Sequence, residues 1–401
     1  MERITIAPVK LVTPEGIFAN SAVEISLDDG KISRVEKSTF NLRNHDATTV
    51  IDGQNLYLSA GFIDIHLHGG GGGDFMDATE SSFVSALKMH LAHGTTSLVP
   101  TTVAADLSEL RDVFFGVKRM KTAINSGKMS NMPEILGVHL EGPYIAKSMA
   151  GAQDPKYIKS PTDGVWREIF DAADGELLIW TSAPELDGSD EMCAELTKRG
   201  VYFSIGHTDA RYADIARAVE CGYTMATHLY SGMSTIVREN GHRVLGAIES
   251  ALLFDELTVE VIADGIHLPP ELLRLIYKTK GKDKIILVSD AMRGAGMPDG
   301  DYILGSLTKG QTVSVFDGIA HMPDRTAFAG SVATSDRLVR TMVKEAKIPL
   351  HEAVAMITAT PAKAVGIDVR KGFVKEGFDA DLLLFDENIE VKKVLLKGQI
   401  I

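Results

Sequence analysis

The chain has 401 residues, 45% of them hydrophobic and 24% charged, with a formal net charge of −13. This is the composition of an ordinary globular protein, too long for one small core, so a large barrel plus a smaller domain is the simplest packing. The acidic balance excludes a nucleic-acid surface, which needs a basic patch. It leaves room for a small anionic ligand held by a few local cations.

No apolar run approaches the ~20 residues of a membrane helix, and the N-terminus MERITIAPVK has no apolar signal-peptide core. Cys193 and Cys221 are too few for a disulfide framework. These features predict a cytoplasmic protein without a membrane partner.

In chain order, ITIAPVKLVTP, SAVEISLDDGKISRV and TTVIDGQNLYL read as short strands with Asp-Gly turns. The last thirty residues, with DADLLLFDENIEVKKVLLKGQII, read the same way. Residues 1–57 and 368–401 are therefore expected to form one small β domain, since chain termini often lie close together. Between them lie eight apolar runs: GFIDIHLH, TTSLVPTTV, EILGVHLEG, LLIWTSAPE, VYFSIGHTD, YTMATHLYS, LTVEVIADGIH and KIILVSDAM. Amphipathic stretches such as SSFVSALKMHLAHG separate most of them. Alternating strands and helices predict an α/β fold with a parallel sheet. Eight such units predict a closed (β/α)8 TIM-like barrel over 58–367. YILGSLTKGQTVSVFDGIAHM interrupts the pattern and predicts a β-hairpin insertion near 302–322. Helices from about Val332 and over His351–Thr358 complete the barrel. The Gly69–Gly73 run lacks the Gly-Lys-Ser/Thr ending of a nucleotide loop.

The polar residues of interest end these strands, which is where such barrels place their active sites. His66 and His68 end the first run; two positions apart, their side chains share one side of a strand. Asp64 shares that side and can orient a neighbour. A single His-x-His recurs by chance, so its weight comes from the other strands. Glu141 ends the third run, where a carboxylate is costly to bury unless paired or metal-bound; a surface turn is the bland alternative. His139 reads as a core histidine. His207 and His228 end the fifth and sixth runs. With Glu141 they make two imidazoles and a carboxylate, a common zinc set with a position open for water. Zn²⁺, Fe²⁺ and Co²⁺ all suit these ligands. Asp290, after the eighth run, can accept a proton from water and deliver it to a leaving nitrogen, or can merely cap a helix. His267 falls outside the metal set and suits substrate contact. Arg238, His242 and Arg243 form a basic cluster that fits an anion such as phosphate, or a solvated loop. His90 and His93 are explained by favourable charge at a helix C-terminus.

The segments GFIDIHLHGGGGGDFMD, GVHLEGPY, AGAQDP, SIGHTDA, THLYSGM, VIADGIHLPP, LVSDAM and AFAGS resemble the N-acetylglucosamine-6-phosphate deacetylase family of the amidohydrolase superfamily, over nearly the whole chain. The resemblance implies attack of a metal-bound hydroxide on the acetamide of an N-acetyl amino sugar 6-phosphate, with Asp290 as base and then acid. It implies one or two divalent ions, with Glu141, His207 and His228 as ligands and His66 and His68 as a second-metal pair that some members have. It places His267, Ala152, Gln153, Ser231, Gly232, Phe328, Ala329 and Gly330 at the substrate. Arg238 most nearly matches a phosphate-binding arginine that the family can supply across a dimer interface, so a homodimer is expected.

Two departures stand out. Many members have Asn-Ala where this chain has Ser231-Gly232, which removes an amide and leaves N-acetylgalactosamine 6-phosphate as an alternative substrate. Gln153 replaces a histidine that polarises the carbonyl in some members; glutamine cannot be cationic. A second ion at His66 and His68 is expected to take over that polarisation. Other readings are a cyclic amidase or deaminase of the superfamily, although TSAPE offers no lysine to bridge two metals, and a non-catalytic sugar-phosphate binder.

Overall fold

Each of the eight apolar runs forms a strand in the computed structural model, which describes residues 2–38, 40 and 49–401. They are Phe62–Leu67, Thr95–Thr102, Val138–Glu141, Leu177–Ser182, Tyr202–Ile205, Tyr223–Ala226, Thr258–Val261 and Ile285–Leu287. Neighbours pair in parallel and in chain order. Helices connect most of them, including Glu80–Ala92 and Leu107–Asn125, and Ser335–Lys344, Leu350–Ala355 and Ala359–Ala364 follow the eighth strand. Ile63, Ile65, Val99, Ile179, Met225 and Ile286 pack together in one cluster. A larger apolar cluster packs the helices around the strands. Each fully buried side chain of this kind contributes roughly 1.5–3 kcal/mol.

The barrel closes without a ladder between its first and eighth strands. Individual hydrogen bonds cross the seam instead. The Asp290 N–H donates to His66 O at 2.9 Å, and the His68 N–H donates to Ala291 O at 2.8 Å. The Asp64 carboxylate accepts from the Ser289 N–H at 3.3 Å and from the His66 N–H at 3.2 Å. The chain after Leu350–Ala355 fills the rest: Ile63 N donates to Ile357 O and Leu287 N to Met356 O. Buried backbone groups must find such partners. Asp64 thus orients its neighbour's backbone, and burial pushes its carboxyl up to about 7 against those donors. The first strand also carries a register irregularity between Asp64 and Leu67, a device that re-aims side chains.

The terminal segments form one mainly antiparallel sheet. Its order runs Gln399–Ile400, Val391–Leu396, Leu382–Phe385, Tyr57–Ala60, Arg3–Thr13, Gly16–Ser26 and Lys31–Glu36, with Thr49–Ile51 also on Arg3–Thr13. A cluster of Glu134, Arg370, Lys371, Asp379 and Asp381 joins this region to the barrel edge. Burial alone would raise the Glu134 carboxyl, but Arg370 and Lys371 hold it down at about 2. A carboxyl depressed on folding stabilises the fold above its unfolded pKa, near 4.5 here. That contribution is lost as pH falls through 2. Because Arg370 is 37% exposed, solvent screening leaves it on the order of 2 kcal/mol. The unfolding free-energy gap between wild type and Glu134→Gln should therefore be largest above pH 5 and shrink steadily from pH 4.5 to 2 in urea titrations. A gap independent of pH would contradict this assignment.

Where a hairpin is expected near 302–322, the structure has three antiparallel strands: Gly300–Leu304, Gln311–Phe316 and Ile319–His321. Arg293, 5% exposed, ties this insertion to the glycine run. Its guanidinium bonds Asp77 through both terminal nitrogens at 2.8 Å and also reaches Ile303 O, Gly72 O and Gly305 O. All five of its donors are used. Arg293→Met leaves Asp77 buried without its cation, which should cost about 3–5 kcal/mol in chemical denaturation; a change under 1 kcal/mol would show that the insertion does not depend on it.

The glycine run is a tight turn whose amides are already spent. Gly69 N donates to Ala291 O, Gly71 N to Ala295 O and Gly72 N to Arg293 O. A Cβ at Gly69 would lie 2.2 Å from Gly73 O, so the close approach demands glycine. His90 packs beneath it. The helix-charge explanation for His90 is corrected here: the ring is buried, bonds Gly69 O at 2.9 Å, and burial lowers its pKa to about 4, so it is neutral.

Candidate active site

Four imidazoles and two carboxylates converge where the strands end. Glu141 is the last residue of the third strand and is 2% exposed. Its Oε1 lies 2.9 Å from His228 Nε2 and 3.1 Å from His207 Nε2. Its Oε2 lies 3.4 Å from His68 Nε2. His66 Nε2 is 3.7 Å from Glu141 Oε1 and 3.6 Å from Asp290 Oδ1, and His68 Nε2 is 3.3 Å from Asp290 Oδ1. His207, His228 and Asp290 have φ of +47°, +26° and +49°. Left-handed backbone at non-glycine residues costs about 1 kcal/mol or more each and gathers at functional sites. Backbone bonds hold Asp290 on both sides, since its N–H donates to His66 O and its carbonyl accepts from Ser331 N–H at 2.7 Å.

The donor set fits a divalent cation. His207 Nδ1 donates to Met149 O at 2.7 Å, which leaves Nε2 to face Glu141. His66 Nδ1 meets Glu260 Oε2 at 2.9 Å, and its buried Nε2 has no hydrogen-bond partner. Burial lowers the His66 pKa to about 4, so that lone pair is free. Two overlapping groups, Glu141–His207–His228 and His66–His68–Glu141, hold their ligand atoms within 4.8 Å of one another. Lone pairs and carboxylate oxygens packed this closely repel one another unless a cation or protons lie between them. Burial opposes charge on His228, yet Glu141 raises its pKa to about 9; Asp290 and Glu141 likewise raise His68. Burial would raise Asp290 itself, but the His68 hydrogen bond and nearby imidazoles hold it below the usual carboxylate value.

A cavity of about 310 Å³ opens above this centre, within the range of small-molecule sites. His68, Glu141, His207, His228 and Asp290 line it, as do the substrate candidates Ala152, Gln153, Ser231, Gly232, His267, Phe328 and Gly330. Ala329 is fully buried behind that wall, and His66 lies beneath Glu141. Arg238 is not brought into the cavity. It sits exposed on a small hairpin, Val237–Glu239 with His242–Val244. No Lys or Arg lines the cavity among the described residues.

Several contacts behind the site were not legible in the sequence. Asp264 accepts from His267 Nδ1 at 2.8 Å and from two main-chain N–H groups, which leaves His267 Nε2 for the cavity. Gln153 donates to Glu141 Oε2 at 2.6 Å and accepts from Ala104 N–H at 2.7 Å. Gln153 is thus pinned to the Glu141 carboxylate. His139 is a core histidine: its Nδ1 donates to Ile65 O at 3.0 Å, and its Nε2 faces Thr181 Oγ1 at 2.6 Å. Glu260 reads in TVEV as an ordinary strand residue, yet it is fully buried against His66.

Comparison with known proteins agrees with this geometry. Residues 57–401 match the family model described as the amidohydrolase family. The chain is 34% identical to an N-acetylglucosamine-6-phosphate deacetylase of Bacillus subtilis (strain 168), covering 100% of this chain and 97% of the relative. It is 30% identical to an N-acetylgalactosamine-6-phosphate deacetylase of Escherichia coli O157:H7, covering 98% and 97%. A solved Mycobacterium smegmatis N-acetyl-D-glucosamine-6-phosphate deacetylase variant, in complex with N-acetyl-D-glucosamine-6-phosphate, superposes with a TM-score of 0.88 at 30% identity, covering 100% and 98%. With its strand-end histidines and carboxylates in place, the chain belongs to the amidohydrolase family.

Proposed function

We propose that the chain hydrolyses the acetamide of N-acetylglucosamine 6-phosphate to acetate and the free amino sugar phosphate. The observation that carries this reading is the convergence of Glu141, His207, His228 and Asp290 at the floor of one cavity, in a chain 34% identical to a deacetylase of that substrate. Glu141, His207 and His228 would hold one divalent ion, and His66 and His68, with Glu141, a second; Zn²⁺, Fe²⁺ and Co²⁺ suit these donors. Bound there, such ions supply Lewis acidity, which makes water a nucleophile at neutral pH and polarises the carbonyl. The second part is work that Gln153, tied to Glu141, cannot do as a cation. Asp290 takes the proton of the attacking water and returns it to the nitrogen as the C–N bond breaks. His267 contacts the sugar through its free Nε2. The barrel carries this chemistry, and strands from both chain ends make a supporting β domain whose first boundary falls after the strand Tyr57–Ala60 and not at residue 57.

Among the described residues the cavity offers imidazoles but no Lys or Arg for a phosphate. This supports a homodimer in which a second copy brings Arg238, and light scattering would test it; a fully active monomer would remove this part. Two unpaired thiols, Cys193 and Cys221, support a reducing cytoplasmic location; among the described residues no helix is long and apolar enough to cross a membrane.

Ser231-Gly232 at the cavity wall favours keeping N-acetylgalactosamine 6-phosphate as a second substrate. Acetate release from both phosphates and from their unphosphorylated parents tests the proposal. Release from neither phosphate would overturn the substrate assignment. One tightly bound ion per chain in fully active enzyme would overturn the two-ion reading.

A further inference from the structure

Glu260 lies on the seventh strand, fully buried, and 194 residues from His66. A carboxylate in a barrel interior is costly, and an apolar β-branched residue would fill a strand position more cheaply. What Glu260 does with its oxygens is specific. Oε2 accepts the main-chain N–H of His228 at 3.3 Å and meets His66 Nδ1 at 2.9 Å, while Oε1 is buried without a partner. With Glu260 ionised, its Oε2 accepts in both contacts and the proton of the second belongs to His66 Nδ1. A neutral imidazole has one N–H, so Nε2 keeps its lone pair, 3.7 Å from Glu141 and 3.6 Å from Asp290. The neighbouring His139 does not compete, since Ile65 O and Thr181 Oγ1 engage both its nitrogens. His68 Nδ1 and His228 Nδ1 have no such partner, so among these imidazoles His66 is the one whose Nδ1 meets a carboxylate.

We propose that Glu260 is a positioning residue for the second divalent ion: it fixes His66 as the Nδ1–H tautomer, aims its Nε2 at Glu141 and Asp290, and ties that half of the site to the backbone of His228. This rests on the two-ion reading above. A carboxylate behind a metal-bound histidine typically changes metal affinity by about 10–100-fold.

The test uses the full chain, with Zn²⁺ affinities measured by chelator competition and metal content by elemental analysis. Wild type should bind two ions. Glu260→Leu should weaken the second by about 100-fold and leave the first within about twofold, and the isosteric Glu260→Gln, which still offers an acceptor, should weaken it by about 10-fold. Should the leucine variant not fold, the glutamine variant carries the test. A second readout needs no metal: ¹⁵N-histidine NMR of metal-free enzyme, with His66 assigned from His66→Asn, should show the Nδ1–H tautomer in wild type and its loss in Glu260→Leu. Second-ion affinity unchanged in both variants, or equal weakening of both ions, overturns the proposal. A wild type that binds a single ion overturns the two-ion reading and the ion half of this inference. An unchanged His66 tautomer with two ions bound overturns the role of Glu260 alone.

Discussion

Asp290→Asn should lower kcat by about 10²–10⁴-fold, the range set by losing a general acid–base, while metal content and thermal stability stay near wild type. The side chain keeps its size, and its backbone remains clamped by His66 O and the Ser331 N–H. The asparagine amide can still meet His68, but it can neither take a proton from water nor give one to a leaving amine. Because the loss lies in the chemical step, kcat and kcat/KM should fall together. Steady-state kinetics beside metal analysis on the same preparation decide the matter. A variant that keeps half its turnover, or loses its ions along with its activity, would reassign Asp290 from proton transfer to structure.

A different failure is expected at Glu141. Its two oxygens face both halves of the site: Oε1 toward His207 and His228, Oε2 toward His68 and the Gln153 amide. Glu141→Gln keeps the shape but removes the charge that balances those imidazoles. Metal content should fall below one ion per chain after dialysis. Activity should drop by at least 10²–10³-fold even with added metal, the scale seen when one electrostatic element of a site is lost. The contrast with Asp290→Asn is the informative part, since one variant loses ions and the other loses proton transfer. Full ion content in Glu141→Gln would show that the histidines alone suffice.

Much of this site was legible because its signals are local. Each candidate ligand follows an apolar run by a few residues, and a barrel brings strand ends to one face. His66, His68, Glu141, His207, His228 and Asp290 needed no more than that to be grouped. Arg238 shows where the locality ends. Its cluster sits in the right loop, yet the loop folds as an exposed hairpin and leaves the cavity, among the described residues, without a lysine or arginine. His90 is a second case: helix position suggested a charge, and burial under the glycine run makes the ring neutral.

The sequence by itself determined the alternating strands and helices, the terminal β segments and the strand-end histidines and carboxylates, because periodicity and strand polarity act over a few residues. Tertiary structure alone decided the seam. There, Asp64, His66, His68 and Asp290 meet through single hydrogen bonds instead of a ladder. It also decided that Glu260 faces inward against His66, that Gln153 grips Glu141, and that Asp264 orients His267. In an isolated strand a glutamate at every second position reads as a solvated face. Closure of the barrel, which joins Asp64 to Ser289 across 225 residues and His66 to Glu260 across 194, turns that face into the interior, and the polar group must then be satisfied there.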